Sequence, residues 1–259
     1  MAYQLTVALY EVRMAYDPPA SISKNKLLAT LPSDAYQRIF PHLEEVSLTL
    51  GQVLYESGGQ QDFVFFPTTA IVSLLYMMEN GQSAEMAITG YEGVVGVSLF
   101  MGGGSMPSRA VIQSGGHALR MKARTMQAEF ERGGSFHKAL LRYTMALITQ
   151  MSQTAVCNRL HSLDQQLCRW LLLSHDRLLT DELVMTHELI ANMLGVRREG
   201  VTLAAGRLQQ AGLISYKRGR IDILDRAGLE ARVCECYGVI RKESDRLLGA
   251  PAGAGSGND

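Results

Sequence analysis

The sequence of 259 residues lacks the features that mark several special classes of protein. No apolar run approaches the roughly 18 residues that would span a bilayer, and no basic start leads into an apolar core with a cleavage site. The net charge is zero, with 25 basic and 25 acidic residues, so attraction to a polyanion has to come from local clusters of charge. We therefore expect a cytoplasmic protein with no membrane partner.

Cysteine is scarce, and its spacing is unlike that of a disulfide framework or a zinc site. The four cysteines are Cys157, Cys168, Cys234 and Cys236, and none of them belongs to a CxxC pair. Cys234 and Cys236 are two residues apart, which on a helix would place them on different sides. We predict partly buried thiols, with no metal and no cofactor.

The short motifs of common enzymes are incomplete. His187-Glu188 begins like HExxH, but residue 191 is alanine, so the second zinc ligand is missing. No HxH pair supports a cupin-type metal enzyme, and Gly102–Ser105 lacks the Lys-Ser or Lys-Thr of a phosphate loop. Ser174, His175 and Asp176 are adjacent in sequence, whereas catalytic triads assemble from separated segments. We therefore predict no enzymatic activity.

The order of the patterns along the chain predicts an α+β protein. Short apolar runs punctuated by glycine, from Val46 to Met121, are typical of an antiparallel sheet closing into a jelly-roll-like β-roll. Helical periodicity without proline follows from Thr125 to Ser174. The predicted units are a flexible segment (1–22), an effector-type β-roll domain (23–130), a dimerisation helix (131–160), a winged helix-turn-helix domain (161–230), a C-terminal helix (231–248) and a disordered tail (249–259).

The long helix carries two apolar stripes. One consists of Leu140, Leu147, Met151 and Thr154, and the other of Leu141, Met145, Ile148 and Val156. A helix that is apolar on two sides can lie in the core of its own chain or can pack on its own domain and a partner subunit. We favour the second interpretation and assign the first stripe to a homodimer interface.

Residues 186–223 combine a helix pair with a basic hairpin. Thr186 is a suitable helix cap, Gly195 ends that helix, and a second helix follows up to Gly212. Two short apolar runs around a Lys217–Arg220 turn indicate a wing. A helix, a tight turn and a second helix are typical of DNA-binding domains, whose second helix enters the major groove.

This arrangement assigns roles to the exposed polar residues. Arginine pairs with guanine and glutamate accepts from cytosine, while basic residues of a wing meet phosphates. The predicted base-facing residues are Arg197, Arg198, Glu199 and Thr202; Lys217, Arg218 and Arg220 are predicted phosphate contacts; and Thr186 and Arg207 complete the predicted DNA-binding set.

With these motifs, the chain resembles the family of the cyclic-AMP receptor protein and the fumarate-nitrate reduction regulator (CRP/FNR family) from about Asn25 to Leu229. The resemblance is carried by LTLGQVLYESGG followed by FVFFP, and by LIANMLGVRREGVTLAAGRLQQAGLI. It implies a homodimeric transcription regulator that binds a palindromic operator in double-stranded DNA and contacts RNA polymerase. Arg198 and Glu199 match the base-reading positions. Arg197 and Leu203 depart from the family pattern, so we expect a different operator.

The family motif for cyclic nucleotides is altered in this chain. The corresponding residues, our candidate effector pocket, are Gly96, Val97, Ser108, Arg109 and Ala110. Val97 replaces the glutamate that binds ribose, and Arg109 is displaced by one place, which on a strand turns it to the other face unless a bulge restores its side. We predict that cyclic AMP is not the ligand; an unidentified small-molecule effector and the absence of any effector are both compatible with the sequence. Heme and iron-sulfur sensing are disfavoured, because His42 and His117 are isolated and the first cysteine is Cys157.

A second class of function fits the same elements. A β-roll that binds a small molecule could carry a winged helix that contacts a protein instead of DNA. The arginines on the second helix and the wing favour the DNA-binding interpretation.

Overall fold

A computed structural model describes residues 24–178 and 180–249. The flexible segment predicted for residues 1–22 lies outside the described residues, as do residues 250–259 of the predicted tail. The helices are α1 (Lys26–Ala29), α2 (Ser33–Ile39), α3 (Ala123–Glu131), α4 (Gly134–Leu160), α5 (Leu163–His175), α6 (His187–Leu194), α7 (Arg198–Gln210), α8 (Arg226–Arg232) and α9 (Glu235–Leu248). The strands are β1 (Glu44–Leu48), β2 (Val53–Tyr55), β3 (Phe63–Pro67), β4 (Ile71–Met77), β5 (Ser83–Thr89), β6 (Arg109–Ser114), β7 (Gly116–Lys122), β8 (Glu182–Val184), β9 (Ile214–Lys217) and β10 (Arg220–Ile223).

The N-terminal half is a β-roll of two antiparallel sheets. One sheet has the strand order β1-β7-β3 and the other β2-β6-β4-β5. Asn80-Gly81, a dipeptide typical of hairpin turns, joins β4 to β5, and Gly81 has a φ of 82°, which a residue without Cβ adopts at little cost. Apolar side chains from both sheets and from α1, α2 and α4 share one core. The α+β class with its β-roll is thereby confirmed.

Helix α4 packs along the β-roll with the stripe that we assigned to a dimer. Leu140 is fully buried, Leu147 and Thr154 are buried, and Met151 is partly buried against the same core. The assignment of this stripe to a partner subunit is therefore wrong, because its side chains already fill the interior of their own chain. The other stripe, from Leu141 to Val156, is exposed.

The C-terminal half packs on the outer face of the four-stranded sheet. Ile71, Leu75 and Ile88 point away from the interior of the β-roll and join a second core with α5, α6, α7 and α8. Consequently β4 is buried on both faces, and its residues from Ile71 to Leu75 are all buried instead of alternating between buried and exposed. None of the helices in the described ranges has the length and apolar character that a bilayer crossing requires.

Helix α9 returns to the first half and packs along α4. Cys234 precedes this helix in an extended conformation, with φ −74° and ψ 164°, and Cys236 lies in its first turn. The expectation that these two cysteines lie on different sides of a helix is wrong, because Cys234 is not helical. Both are buried and gather with Cys157 in a small cluster of their own.

Candidate nucleic-acid interface

The helix pair forms as its local signals indicate. The Thr186 side chain accepts a hydrogen bond of 3.2 Å from the Leu189 backbone N–H and so caps α6. Gly195 ends α6 in the left-handed region, with φ 66° and ψ 34°. Arg197 is extended, and α7 begins at Arg198. The turn between the helices is therefore short and set by one glycine.

The buried faces of α6 and α7 orient their exposed faces. Val201, Ala204, Ala205 and Leu208 pack into the second core. The opposite side of α7 presents Arg198, Glu199, Thr202 and Leu203 to solvent, and Leu203 is 63% exposed. This side of α7 is the candidate groove face, because a recognition helix meets base edges with its exposed N-terminal residues.

The wing is a tight hairpin of β9 and β10, with β8 on the outer edge of β10. Lys217 pairs with Arg220 across the turn. Arg218 and Gly219, the two residues between them, have φ angles of 52° and 78°, as a two-residue type I′ turn requires. Lys217 and Arg218 are exposed at the tip, and neither forms an ion pair with a described residue.

Two predicted DNA contacts are engaged within the chain. Arg220, which directly follows the turn of the wing, donates to both carboxylate oxygens of Glu182, at 2.8 and 3.0 Å. Arg207 donates from Nε to Asp164 Oδ2 at 2.7 Å and makes a second bond to the same carboxylate. Arg207 lies nine residues after Arg198, which is two and a half helical turns and points it to the opposite side. Its assignment to DNA is wrong: it fastens α7 to the start of α5.

His187 is a residue of this site that the sequence reasoning missed. Its ring stacks on Tyr216 of the wing with centroids 3.9 Å apart, and its Nδ1 lies 3.1 Å from Thr202 Oγ1. Burial and then the charge of Arg198 lower the pKa of His187. The imidazole thus joins α6, α7 and β9, and the Thr202 hydroxyl is occupied by this contact and by a bond to the Arg198 carbonyl. A histidine directly after a helix cap was the only signal in the sequence.

The turn between α6 and α7 faces the β-roll. Ser83 donates to the Asn192 carbonyl at 3.2 Å, and beside this contact the β4–β5 hairpin and the turn line a cleft of about 720 Å³. Arg197 and Met151 both line this cleft. Arg197 is exposed, and among the described residues it forms no ion pair, so its guanidinium is available at the edge of the groove face.

The candidate effector residues lie on the β-roll but do not converge on its interior. Ala110 faces the core of the β-roll, whereas Val111 packs toward the second core. Arg109 shares the side of Val111 and forms an ion pair of 3.0 Å with Glu56. Ser108 is buried, and Gly96 and Val97 lie at the start of a short 3-10 turn.

The comparisons with known proteins agree with this geometry. Residues 165–232 match the Crp-like helix-turn-helix domain. No curated protein sequence matches the chain. Among solved structures, FixK2 from Bradyrhizobium japonicum has a TM-score of 0.64 at 16% identity, covering 74% of this chain and 98% of that chain. Two transcriptional regulators from Thermus thermophilus, of the CRP family and the CRP/FNR family, follow the same pattern. The match to the CRP-family regulator has a TM-score of 0.62 at 18% identity and covers 72% of this chain and 95% of that chain. The match to the CRP/FNR-family regulator has a TM-score of 0.57 at 22% identity and covers 73% of this chain and 97% of that chain. The resemblance to CRP/FNR regulators is therefore confirmed for the helix-turn-helix domain and for the fold.

Proposed function

Because the chain carries a Crp-like helix-turn-helix domain on the fold of CRP/FNR transcription regulators, we propose that it is a sequence-specific DNA-binding regulator that recognises a palindromic operator as a homodimer. The observation that carries this proposal is the groove face of α7. Arg197, Arg198 and Glu199 are exposed there and have no ion-pair partner among the described residues, and the free Lys217 and Arg218 lie on the neighbouring wing.

The groove face of α7 and the wing together supply both kinds of contact that DNA recognition needs. Arg198 can donate two hydrogen bonds to guanine, and Glu199 can accept one from the amino group of cytosine. Leu203, one turn after Glu199, presents an apolar side chain that suits the methyl group of thymine. Lys217 and Arg218 supply charge for phosphates, which positions the domain without reading sequence.

The exposed stripe of α4 supports a homodimer. Met145 and Ile148 are each 48% exposed, and Leu141 and Val156 are more than 40% exposed. Such a row of apolar side chains at helical spacing fits a second copy of the same helix across a two-fold axis. Ile148→Glu should therefore give a monomer in sedimentation analysis. Leu50→Glu is the matched control, since Leu50 is also 48% exposed but lies on the β-roll.

We infer that this regulator does not bind cyclic AMP as an effector. Arg109 shares the side of its strand that faces away from the β-roll core and is paired with Glu56, and Val97 offers no oxygen to a ribose hydroxyl. Calorimetric titration with cyclic AMP should show no saturable binding. Tight binding that Arg109→Ala abolishes would contradict this inference.

The DNA proposal is tested by selecting bound fragments from a random-sequence library with the purified protein and no added ligand. We expect an inverted repeat with half-site centres about 34–36 Å apart. Arg198→Ala should make the free energy of binding to the best site less favourable by about 1–3 kcal/mol and relax the preference at one base position. Lys217→Ala should weaken binding to all sequences alike and lower the slope of log affinity against log salt concentration by about 1. Arg132→Ala, an exposed arginine on the β-roll side, is the control.

The outcomes separate the two classes of function. If Arg198→Ala and Lys217→Ala weaken all sequences equally, Arg198 does not read a base. If the folded dimer binds no DNA at low salt, this result would support the alternative function, in which the winged helix contacts a protein.

A further inference from the structure

Four side chains able to bind a metal converge where α4 ends and α9 begins. Cys157 and His161 come from the end of α4, and Cys234 and Cys236 from the start of α9. One ligand atom from each lies within 4.8 Å of the other three. The Sγ atoms of Cys157 and Cys234 are 3.5 Å apart, and Cys236 Sγ lies 3.5 Å from His161 Nδ1.

Local backbone structure brings these side chains together. Cys157 and His161 are four residues apart at the end of one helix, so they lie on the same face. Cys234 is extended and Cys236 is in the first helical turn, so the change of backbone conformation between them turns both thiols toward α4. The three cysteines are buried, and Cys157 and Cys234 are separated by 77 residues of sequence.

The separations fit tetrahedral coordination. Zinc binds thiolate sulfur at about 2.3 Å and imidazole nitrogen at about 2.0–2.1 Å, and the edges of a tetrahedron with such bonds are about 3.4–3.8 Å long. The two separations of 3.5 Å already match an edge, and small side-chain rotations would bring the remaining pairs from below 4.8 Å to that length.

A neighbouring buried charge suits a thiolate-rich site. Arg169 is 4% exposed, and its Nε donates to Cys157 Sγ at 3.2 Å. Among the described residues it forms no ion pair with a carboxylate, and its other side-chain partner is Thr154 Oγ1. A buried guanidinium requires a negative partner. Three thiolates, one neutral imidazole and Zn²⁺ carry a net charge of −1, which this guanidinium balances.

The histidine is oriented as metal-binding histidines are. Its Nδ1 faces Cys236, while its Nε2 lies 3.3 Å from Glu235 Oε2. A carboxylate that accepts from the second ring nitrogen fixes the tautomer and leaves the first nitrogen free to bind a metal.

We propose that Cys157, His161, Cys234 and Cys236 bind one zinc ion. All four positions are filled by protein side chains, which is the arrangement of a structural site and leaves no open position for catalysis. The ion ties the end of α4 to the start of α9. The sulfur cluster is separate from both main cores of the chain, so the ion supplies at this joint a cross-link that apolar packing does not.

The test is the metal content of the full chain, refolded or purified with reductant and zinc and then freed of loose metal. We expect one zinc per chain. Co²⁺ in its place should give the sulfur-to-metal charge-transfer band and the strong visible bands of a tetrahedral thiolate site. Cys236→Ser should lower zinc affinity at least about tenfold in a chelator competition, whereas Cys168→Ser, which removes a buried cysteine outside the cluster, should not.

A surface variant keeps the test valid if a ligand variant fails to fold. The Glu235 side chain is 77% exposed, so Glu235→Gln leaves packing intact and should weaken zinc binding by about 10- to 100-fold. The proposal is overturned if the folded wild-type chain holds no zinc, or if Cys168→Ser lowers zinc affinity as much as Cys236→Ser does. A disulfide between Cys157 and Cys234 in protein kept under reductant would also overturn it. None of these readouts depends on DNA binding.

Discussion

Glu85 is a buried carboxyl group at the junction of the two halves. It lies on β5, is 7% exposed, and accepts a hydrogen bond of 3.0 Å from Trp170 Nε1 of α5. Burial raises the pKa of Glu85 from 4.5 to about 7, although the neighbouring Ser73 hydroxyl, the charge of Arg169 and the bond from Trp170 oppose the change. The folded protein therefore holds a proton that the unfolded chain releases at lower pH.

The sign and size of the pH dependence of stability follow from the difference between the pKa of Glu85 in the folded state and in the unfolded state. Between pH 4.5 and about 7 the folded state binds more protons than the unfolded state, so its stability falls as the pH rises. A pKa difference of about 2.5 corresponds to about 3 kcal/mol. Glu85→Gln removes the ionisation but keeps an oxygen that accepts from Trp170. As the pH rises from about 4.5 to about 8, the free energy of unfolding of the variant should increase by about 3 kcal/mol relative to that of the wild type.

The assay is denaturant unfolding at a series of pH values, followed by the fluorescence of Trp170, which is the sole tryptophan of the sequence. Because the indole contacts the titrating carboxyl, its native emission should also change with a midpoint near pH 7, and this change should vanish in Glu85→Gln. Glu79→Gln, which removes an exposed carboxylate nearby, controls for the loss of one charge. An equal stability difference between variant and wild type at about pH 5 and about pH 8 would refute the reasoning.

Three further changes test the packing. Gly93→Ala would place a Cβ 1.9 Å from the ring of the buried Tyr143 and should destabilise the fold by at least about 1–3 kcal/mol. If the variant melted at the same temperature as the wild type, this close contact would be contradicted. Thr186→Ala removes the cap of α6 and should cost about 1 kcal/mol in denaturant unfolding, which Thr186→Ser should largely restore. Leu140→Ala should cost about 2–5 kcal/mol and leave the oligomeric state unchanged at protein concentrations where Ile148→Glu abolishes it. If Leu140→Ala abolished the dimer without lowering the free energy of unfolding, Leu140 would belong to the dimer interface.

The elements predicted correctly are those whose signals are local. Thr186 and Gly195 delimit α6 because a cap and a left-handed glycine act within one turn of the helix. Asn80-Gly81 sets the β4–β5 turn in the same way. These residues act on their immediate neighbours, so their sequence context is sufficient to predict their structure.

The errors concern contacts between distant segments. Both stripes of α4 are apolar, and only the position of the β-roll decides that Leu140 is buried and Ile148 exposed. Arg207 has the right charge for a phosphate, but Asp164, 43 residues earlier, holds it. The helical spacing expected of Cys234 and Cys236 fails because Cys234 is extended, a conformation that its residue type does not indicate. In the first two cases the role of a residue depends on a distant neighbour that the sequence does not place, whereas the third error concerns the backbone conformation of Cys234 itself.

The junction between the halves combines apolar packing with directional polar contacts. Ile71, Leu75 and Ile88 of the sheet belong to the second core, and hydrogen bonds cross the same boundary. Trp170 binds Glu85, Gln113 donates to Ser174 at 2.8 Å, and Arg177 donates to Glu92 at 2.8 Å. Arg177 and Glu92 are both mostly buried, and such pairs add little net stability but penalise any arrangement that separates them. These bonds and the apolar contacts of the second core together set the orientation of α7 relative to α4. The homodimer proposed above depends on that orientation, because it determines whether two groove faces meet successive turns of DNA.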